Sequence, residues 1–240
     1  MRKDYRLIAF DLDGTLTKSF TPIESENRAL LTALAARYRL LVISAGTCER
    51  VYAQLGSFPL DILGNYGMQS STPDPATGAP IVTQHASFSP DRAQVERVAD
   101  ALRKKHGFEH YVGDSVKYQP SGMFSIALCG TEVALADKLA FDPDRTRRLA
   151  LLDEASTAFS GASVFVAGGA SLDVVPAPYN KLYALNTYCS THGLSHRDVL
   201  FCGDDYTRGG NDEDIFLSDV DCIAVEDYRT LPHLLAHLLN

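Results

Sequence analysis

The sequence predicts an α/β fold: a parallel-sheet core with a smaller α+β unit inserted into it. Three observations carry this prediction. Short apolar runs, LIAF at 7–10, the LLVI of RLLVIS at 39–44 and VLFC at 199–202, have the length and all-round hydrophobicity of strands buried on both faces. Each run ends in a small or acidic polar cluster, and amphipathic helical segments lie between the runs. From about Ile81 to about Pro178 the order changes to paired strands and two amphipathic helices, and the first pattern then returns.

Leu7–Phe10 opens the core, with Asp11, Leu12, Asp13 and the turn-former Gly14 directly behind it. Thr21-Pro22 marks a turn, and Glu24–Tyr38 reads as a helix with Leu30, Leu31, Leu34 and Ala35 on one face. The strand Arg39–Ser44 ends in Ser44-Ala45-Gly46-Thr47 before a helix over Cys48–Leu55. A short strand at Asp61–Leu63 runs into the turn Gly64-Asn65-Tyr66-Gly67. Pro73, Pro75, Gly78 and Pro80 make 70–80 a loop or hairpin tip.

In the inserted unit, Ser89-Pro90-Asp91 starts a helix through Lys105, and Lys117–Leu128 has strand character. Asp142-Pro143-Asp144 caps a helix through Phe159. Ser163–Ala167 and Ser171–Val175 form a hairpin turning at Gly168-Gly169. Past Pro178 a helix from Asn180-Lys181 to about His192 leads to the strand ending at Cys202. A Gly-rich acidic loop, a last strand at Val220–Val225 and a helix over Arg229–Leu239 complete the chain. The expected organisation is a Rossmann-like core at 1–82 and 178–240, with the α+β insert at 83–177.

At 240 residues, 45% hydrophobic and 22% charged, the chain suits a globular protein with a sizeable core. A net charge of −8 argues against nucleic acid and anionic membranes as partners. The N-terminal Arg2, Lys3 and Arg6 are interrupted by Asp4 and followed by an apolar run too short for a signal peptide. Cys48, Cys129, Cys189, Cys202 and Cys222 are scattered and odd in number, which points to a reducing cytoplasm.

The strand ends carry the chemistry. Residues two apart on a strand face the same way, so Asp11 and Asp13 leave the carboxyl end of one strand side by side, where open α/β sheets bind ligands. Two carboxylates so placed repel unless a cation lies between them, and an oxygen-rich site suits Mg2+. Asp-x-Asp-Gly is also an ordinary turn. A calcium loop is ruled out by Thr15 and Leu16, where that pattern wants an Asp or Asn and a Gly. Ser44 before a glycine turn and a helix suits a phosphate, and equally a helix cap. Lys181 read alone is a solvated charge, and the acidic loop read alone is a capping cluster.

Taken together and in this order, DLDGTLT, Ser44, Lys181 and the GDDYTRGGNDEDIF loop resemble the haloacid dehalogenase superfamily of phosphohydrolases and phosphotransferases, in its subfamily IIB with a large α+β cap. GDDYTRGGNDEDIF, SLDVVPAPYNKLYAL and SGMFSIALCG are similar to phosphomannomutase segments. GNYGMQ and the DEDIF ending are similar to trehalose-6-phosphate phosphatase.

The resemblance implies Asp11 as nucleophile and Asp13 as acid/base. It implies Ser44, Lys181 and Asn211 on phosphate. Mg2+ would be held by Asp11, Asp204 and the Asp13 backbone carbonyl, with Asp205 and Asp212 in support. Ser171 and Asp173 match cap residues that contact sugar hydroxyls. The mutases' second-phosphate arginines fall at Gly113, Pro120 and Thr131 in this chain. The expected function is therefore hydrolysis of a sugar phosphate or similar small phosphoester. A phosphomannomutase-like isomerase or a trehalose-6-phosphate phosphatase is the alternative, and a catalytically idle binding fold is the reading from another class. Arg50 and Arg208 stay open between substrate contact and solvation, and a homodimer is left open.

Overall fold

The computed structural model describes residues 4–239; Arg2 and Lys3 lie outside them. Two compact units result. The first comprises the described residues up to Ala86, Lys181–Thr207 and those from Asp212 on; the second comprises Ser87–Asn180 and Arg208–Asn211.

The first unit is built on β1 (Leu7–Phe10), α1 (Ser25–Ala35), β2 (Arg39–Ile43), α2 (Cys48–Gln54), β3 (Asp61–Gly64), β4 (Gln69–Pro73) and β5 (Pro80–Gln84). With β10 (Val199–Gly203) and β11 (Asp221–Ala224) from the returning chain, its seven-stranded sheet has the order β11-β10-β1-β2-β3-β4-β5. The strands from β11 to β3 are parallel, and the β4–β5 hairpin is added antiparallel. Strand alternation divides its core into two layers. Ile8, Phe10, Leu40, Val42, Ile62, Leu200 and Cys202 pack with Leu30, Leu31 and Leu34 of α1. Leu7, Ala9, Leu41, Ile43, Val199 and Phe201 pack with Leu185, Tyr188 and Cys189 of the later helix α6 (Lys181–His192). Both faces being covered is what makes these strands apolar throughout. The strand order reverses at β1, whose neighbours are β2 and β10, so the crevice of an open α/β sheet opens at the end of β1.

The second unit holds α3 (Arg92–His106), β6 (Val116–Tyr118), β7 (Phe124–Ala127), α4 (Leu135–Phe141), α5 (Thr146–Ala158), β8 (Ala162–Ala167) and β9 (Ser171–Pro176). Its antiparallel sheet runs β6-β7-β9-β8. Val95, Ala99 and Leu102 of α3 and Leu151, Leu152 and Ala155 of α5 pack on Phe124, Ile126, Leu172 and Val174. Lys117, Ser125, Asp173 and Phe165 are cross-strand partners whose alternation puts them on the opposite face. The stretch of strand character over 117–128 is a hairpin of β6 and β7. Gly122 turns it with φ +91 where a β-carbon would overlap the Phe88 carbonyl, so the break answers a close approach of backbone.

The chain closes with α6 (Lys181–His192), β10 (Val199–Gly203), α7 (Glu213–Phe216), β11 (Asp221–Ala224), α8 (Leu231–Leu234) and α9 (Ala236–Leu239). The single C-terminal helix expected over 229–239 is therefore two short helical segments behind a 3-10 turn at Tyr228–Thr230. The α/β class with an inserted α+β unit is as the sequence predicts.

Candidate active site

Asp11 follows β1 directly, and its backbone N–H donates to the Cys202 carbonyl at 2.9 Å, which holds it at the sheet's carboxyl end. Lys181, the first residue of α6, is fully buried. Its ammonium donates to Asp11 Oδ1 at 2.5 Å and to Asp212 Oδ1 at 2.7 Å. Asp204 comes from the end of β10 and accepts from Thr15 Oγ1 at 3.0 Å. The Asp205 N–H donates to Asp212 Oδ2 at 3.1 Å, and the Asp212 N–H returns to the Asp205 carbonyl at 3.0 Å, tying the two ends of the acidic loop together.

Two glycines make room for these acids. A β-carbon on Gly14, which has φ +101, would overlap the Asp204 carboxylate. One on Gly203 would lie 2.6 Å from Asp212 Oδ2. The glycine of the opening motif is thus needed for close approach as well as for its turn.

Asp11, Asp204 and Asp212 each offer an oxygen, all within 4.8 Å of one another. Three carboxylates face one ammonium. Burial and the neighbouring Asp11 and Asp212 push the Asp204 carboxyl up to about 9. Asp212 is pushed up to about 7, by burial and Asp11 against the pull of Lys181. Burial pulls the Lys181 ammonium down, but Asp11 and Asp212 outweigh it and hold it above its ordinary range. Crowded, half-neutralised oxygen donors of this kind fit a hard divalent cation such as Mg2+.

The Asp13 side chain is outside that cluster. Its Oδ1 accepts from the Phe20 N–H at 2.7 Å and from Gln54 Nε2 at 2.8 Å, and its Oδ2 accepts from Arg50 Nη1 at 2.9 Å. Ser44 is buried at the end of β2, where its Oγ accepts from the Gly46 N–H at 3.1 Å and from Arg50 Nη2 at 3.4 Å. The core therefore unites Asp11, Asp204, Asp205, Asp212 and Lys181, and it links Asp13 to Ser44 through Arg50. Asn211 belongs to the second unit, as do Ser171 and Asp173. Asp173 is buried there and accepts from Ser125 Oγ at 2.6 Å. Arg208 pairs with Asp153 at 2.7 Å with both side chains largely in solvent. Gln54 and Thr15 carry contacts that the sequence did not indicate, and Arg50, open there between substrate contact and solvation, contacts Asp13 and Ser44. The i, i+4 spacing of Arg50 and Gln54 on the helix behind Ser44 was the available signal.

A family model described as eukaryotic phosphomannomutase matches residues 112–228. A probable phosphomannomutase of Caenorhabditis elegans is 24% identical over 232 residues, covering 89% of this chain and 87% of its own. Among solved structures, a haloacid dehalogenase-like hydrolase from Bacteroides thetaiotaomicron superposes with a TM-score of 0.59 at 16% identity, over 98% of this chain and 99% of its own. A trehalose-6-phosphate phosphatase related protein superposes with a TM-score of 0.55 at 15% identity, over 97% and 96%. The chain is similar in sequence to phosphomannomutases, and in fold to a haloacid dehalogenase-like hydrolase and a trehalose-6-phosphate phosphatase related protein.

Proposed function

We propose that the protein transfers the phosphoryl group of a phosphorylated sugar through an aspartyl-phosphate on Asp11. The observation that carries this reading is the buried cluster of Asp11, Asp204 and Asp212 around Lys181 at the strand-order reversal. An Asp11 oxygen attacks phosphorus, the bond from phosphorus to the sugar oxygen breaks, and Asp13 gives that oxygen its proton. Asp13 then takes a proton from the incoming hydroxyl, which attacks phosphorus and frees Asp11. Lys181 and Ser44 stabilise charge on the transferring oxygens, with Asn211 assigned to the same task. Asp205 and Asp212 hold the loop and the Lys181 ammonium in register. Asp11, Asp204 and the Asp13 carbonyl would hold a Mg2+ ion, which would supply neutralisation of the charge on nucleophile and phosphate. Ser171 and Asp173 are the candidates for sugar hydroxyls.

The incoming hydroxyl decides the outcome. Water makes the protein a phosphatase, as the sequence reading expected, and a second sugar hydroxyl makes it an isomerase. The named relatives favour the phosphomannomutase-like isomerase over hydrolysis. One observation favours hydrolysis. Where the mutases carry arginines for a second phosphate, Gly113 has φ +79, a conformation that strains any other residue, and a β-carbon there would crowd the Glu132 and Thr131 side chains. The buried arginines of the second unit are spent elsewhere. Arg103 donates to the carbonyls of Phe108 and Leu128, and Arg148 is engaged by Asp142. The five free cysteines accord with a cytoplasmic location, and no helix among the described residues is long and apolar enough to cross a membrane.

The test is a panel of hexose 1- and 6-phosphates, trehalose 6-phosphate and glycerol 3-phosphate with Mg2+, with and without EDTA, with and without a hexose bisphosphate. EDTA-sensitive phosphate release supports the phosphatase. Bisphosphate-dependent interconversion of mannose 1- and 6-phosphates supports the isomerase. Asp11→Asn abolishes either while far-UV circular dichroism stays unchanged; a fully active Asp11→Asn overturns the proposal.

A further inference from the structure

We infer that Arg50 is the positioning residue for Asp13, setting the place of the acid/base relative to the phosphate-side hydroxyl of Ser44. This rests on the roles given to Asp13 and Ser44 above. Asp13 and Ser44 stand at the ends of different strands, and the Arg50 guanidinium touches both. Nη1 donates to Asp13 Oδ2 at 2.9 Å and Nη2 to Ser44 Oγ at 3.4 Å.

The guanidinium is itself held. Nη1 also donates to Gln54 Oε1 at 2.9 Å, and the Phe20 ring centroid lies 5.4 Å from Cζ. Gln54 Nε2 in turn donates to Asp13 Oδ1 at 2.8 Å and to Thr17 Oγ1 at 2.7 Å. The Thr47 side chain caps α2 by accepting the Arg50 N–H at 3.3 Å, so the arginine leaves the first helical turn at a defined place. Gly46 clears its path, since a β-carbon there would overlap the guanidinium. A planar fork with several fixed donors orients a carboxylate in a way that a single ammonium does not.

With the Arg50 side chain about one-third exposed, the pair is not a core element, and its loss leaves the hydrophobic layers intact. What it controls is direction. Asp13 acts on the oxygen that leaves phosphorus, and misplacing an acid by about 1 Å costs on the order of a hundredfold. That cost depends on the leaving group. A sugar alkoxide needs the proton, whereas a nitrophenolate leaves with little help.

The experiment compares kcat/KM for the fastest alkyl phosphate of the panel with that for p-nitrophenyl phosphate, in wild type, Asp13→Asn, Arg50→Met and Arg50→Lys. Asp13→Asn is expected to slow the alkyl substrate far more than the aryl one, which sets the signature of a lost acid. Arg50→Met is expected to show the same signature in weaker form, with kcat/KM on the alkyl substrate falling roughly tenfold more than on the aryl substrate. Arg50→Lys should recover part of that split. Equal losses on both substrates, a rise in KM alone, or no change in Arg50→Met would overturn the inference while leaving the Asp13 role standing. An Asp13→Asn variant without the alkyl–aryl split would remove the acid/base reading and this inference with it. If Arg50→Met does not fold, Arg50→Gln carries the same comparison.

Discussion

Lys181 in the core and Arg148 in the inserted unit bury the same charge in opposite ways. Lys181 meets only carboxylates, Asp11 and Asp212, with Asp204 beside them. Arg148, on α5, meets Asp142 Oδ2 at 2.8 Å and spends its remaining donors on the main-chain carbonyls of Asp142, Ala167 and Gly168. Burying an unpaired cation costs several kcal/mol, so both must be compensated. The difference lies in what is left over. Around Lys181 three carboxylates face one ammonium, an arrangement compatible with a further cation. Around Arg148 one carboxylate and a set of carbonyls close the account locally and tie α5 to the β8–β9 turn. The first arrangement can exchange partners during a reaction, and the second holds a fold.

Replacing each cation separates these two uses. Lys181→Met is expected to lower turnover on the best panel substrate by about 10²–10³ at saturating Mg2+, because it removes a donor aimed at the transferring oxygens. If kcat stays within a small factor of wild type, the lysine is only a structural counter-ion and the contrast collapses. Arg148→Met is expected to cost about 3 kcal/mol in urea unfolding followed by circular dichroism, because it strands the buried Asp142 carboxylate. Turnover by the folded fraction should persist. A Lys181-like loss of rate with unchanged unfolding would reverse the assignment.

The smallest effect is in pH. Burial alone would raise the Asp142 carboxyl, but Arg148 and the N–H groups of Arg147 and Arg148 outweigh it and hold it below its ordinary 3.8. A folded value below the unfolded one means that this contribution is fully present above the ordinary value. It is lost as pH falls through the folded value. Asp142→Asn should therefore be less stable than wild type at neutral pH, with the gap narrowing only below about pH 4. A gap that stays constant down to strongly acid pH would show that Arg148 does not stabilise the ionised form.

Much of the core was legible because its information is local. LIAF, the LLVI of β2 and VLFC are apolar at every position because both faces of their sheet are covered, and that requirement is written residue by residue. The polar residues that follow each strand are likewise visible as a chemical pattern. The second unit was harder to read. Arg103 and Arg148 look like solvated helix charges, yet both are buried, because carbonyls from β7, β8 and neighbouring turns converge on them. The middle of the acidic loop was also unreadable. Arg208–Asn211 belongs with the second unit, where the Gly209 carbonyl accepts from the Val166 N–H at 2.8 Å and a β-carbon on Gly209 would overlap Leu152.

The sequence by itself determined the α/β order of elements, the insertion of a second unit and which acids, hydroxyl and lysine stand at strand ends or helix starts. Those features depend on alternation, apolar runs and turn chemistry within a few residues. Only the tertiary structure decided which of these groups meet. Lys181 lies 170 residues from Asp11 and 31 from Asp212, and Arg50 reaches Asp13 across 37 residues. Such contacts follow from the order of strands in a sheet and the packing of helices on it, which no local pattern encodes.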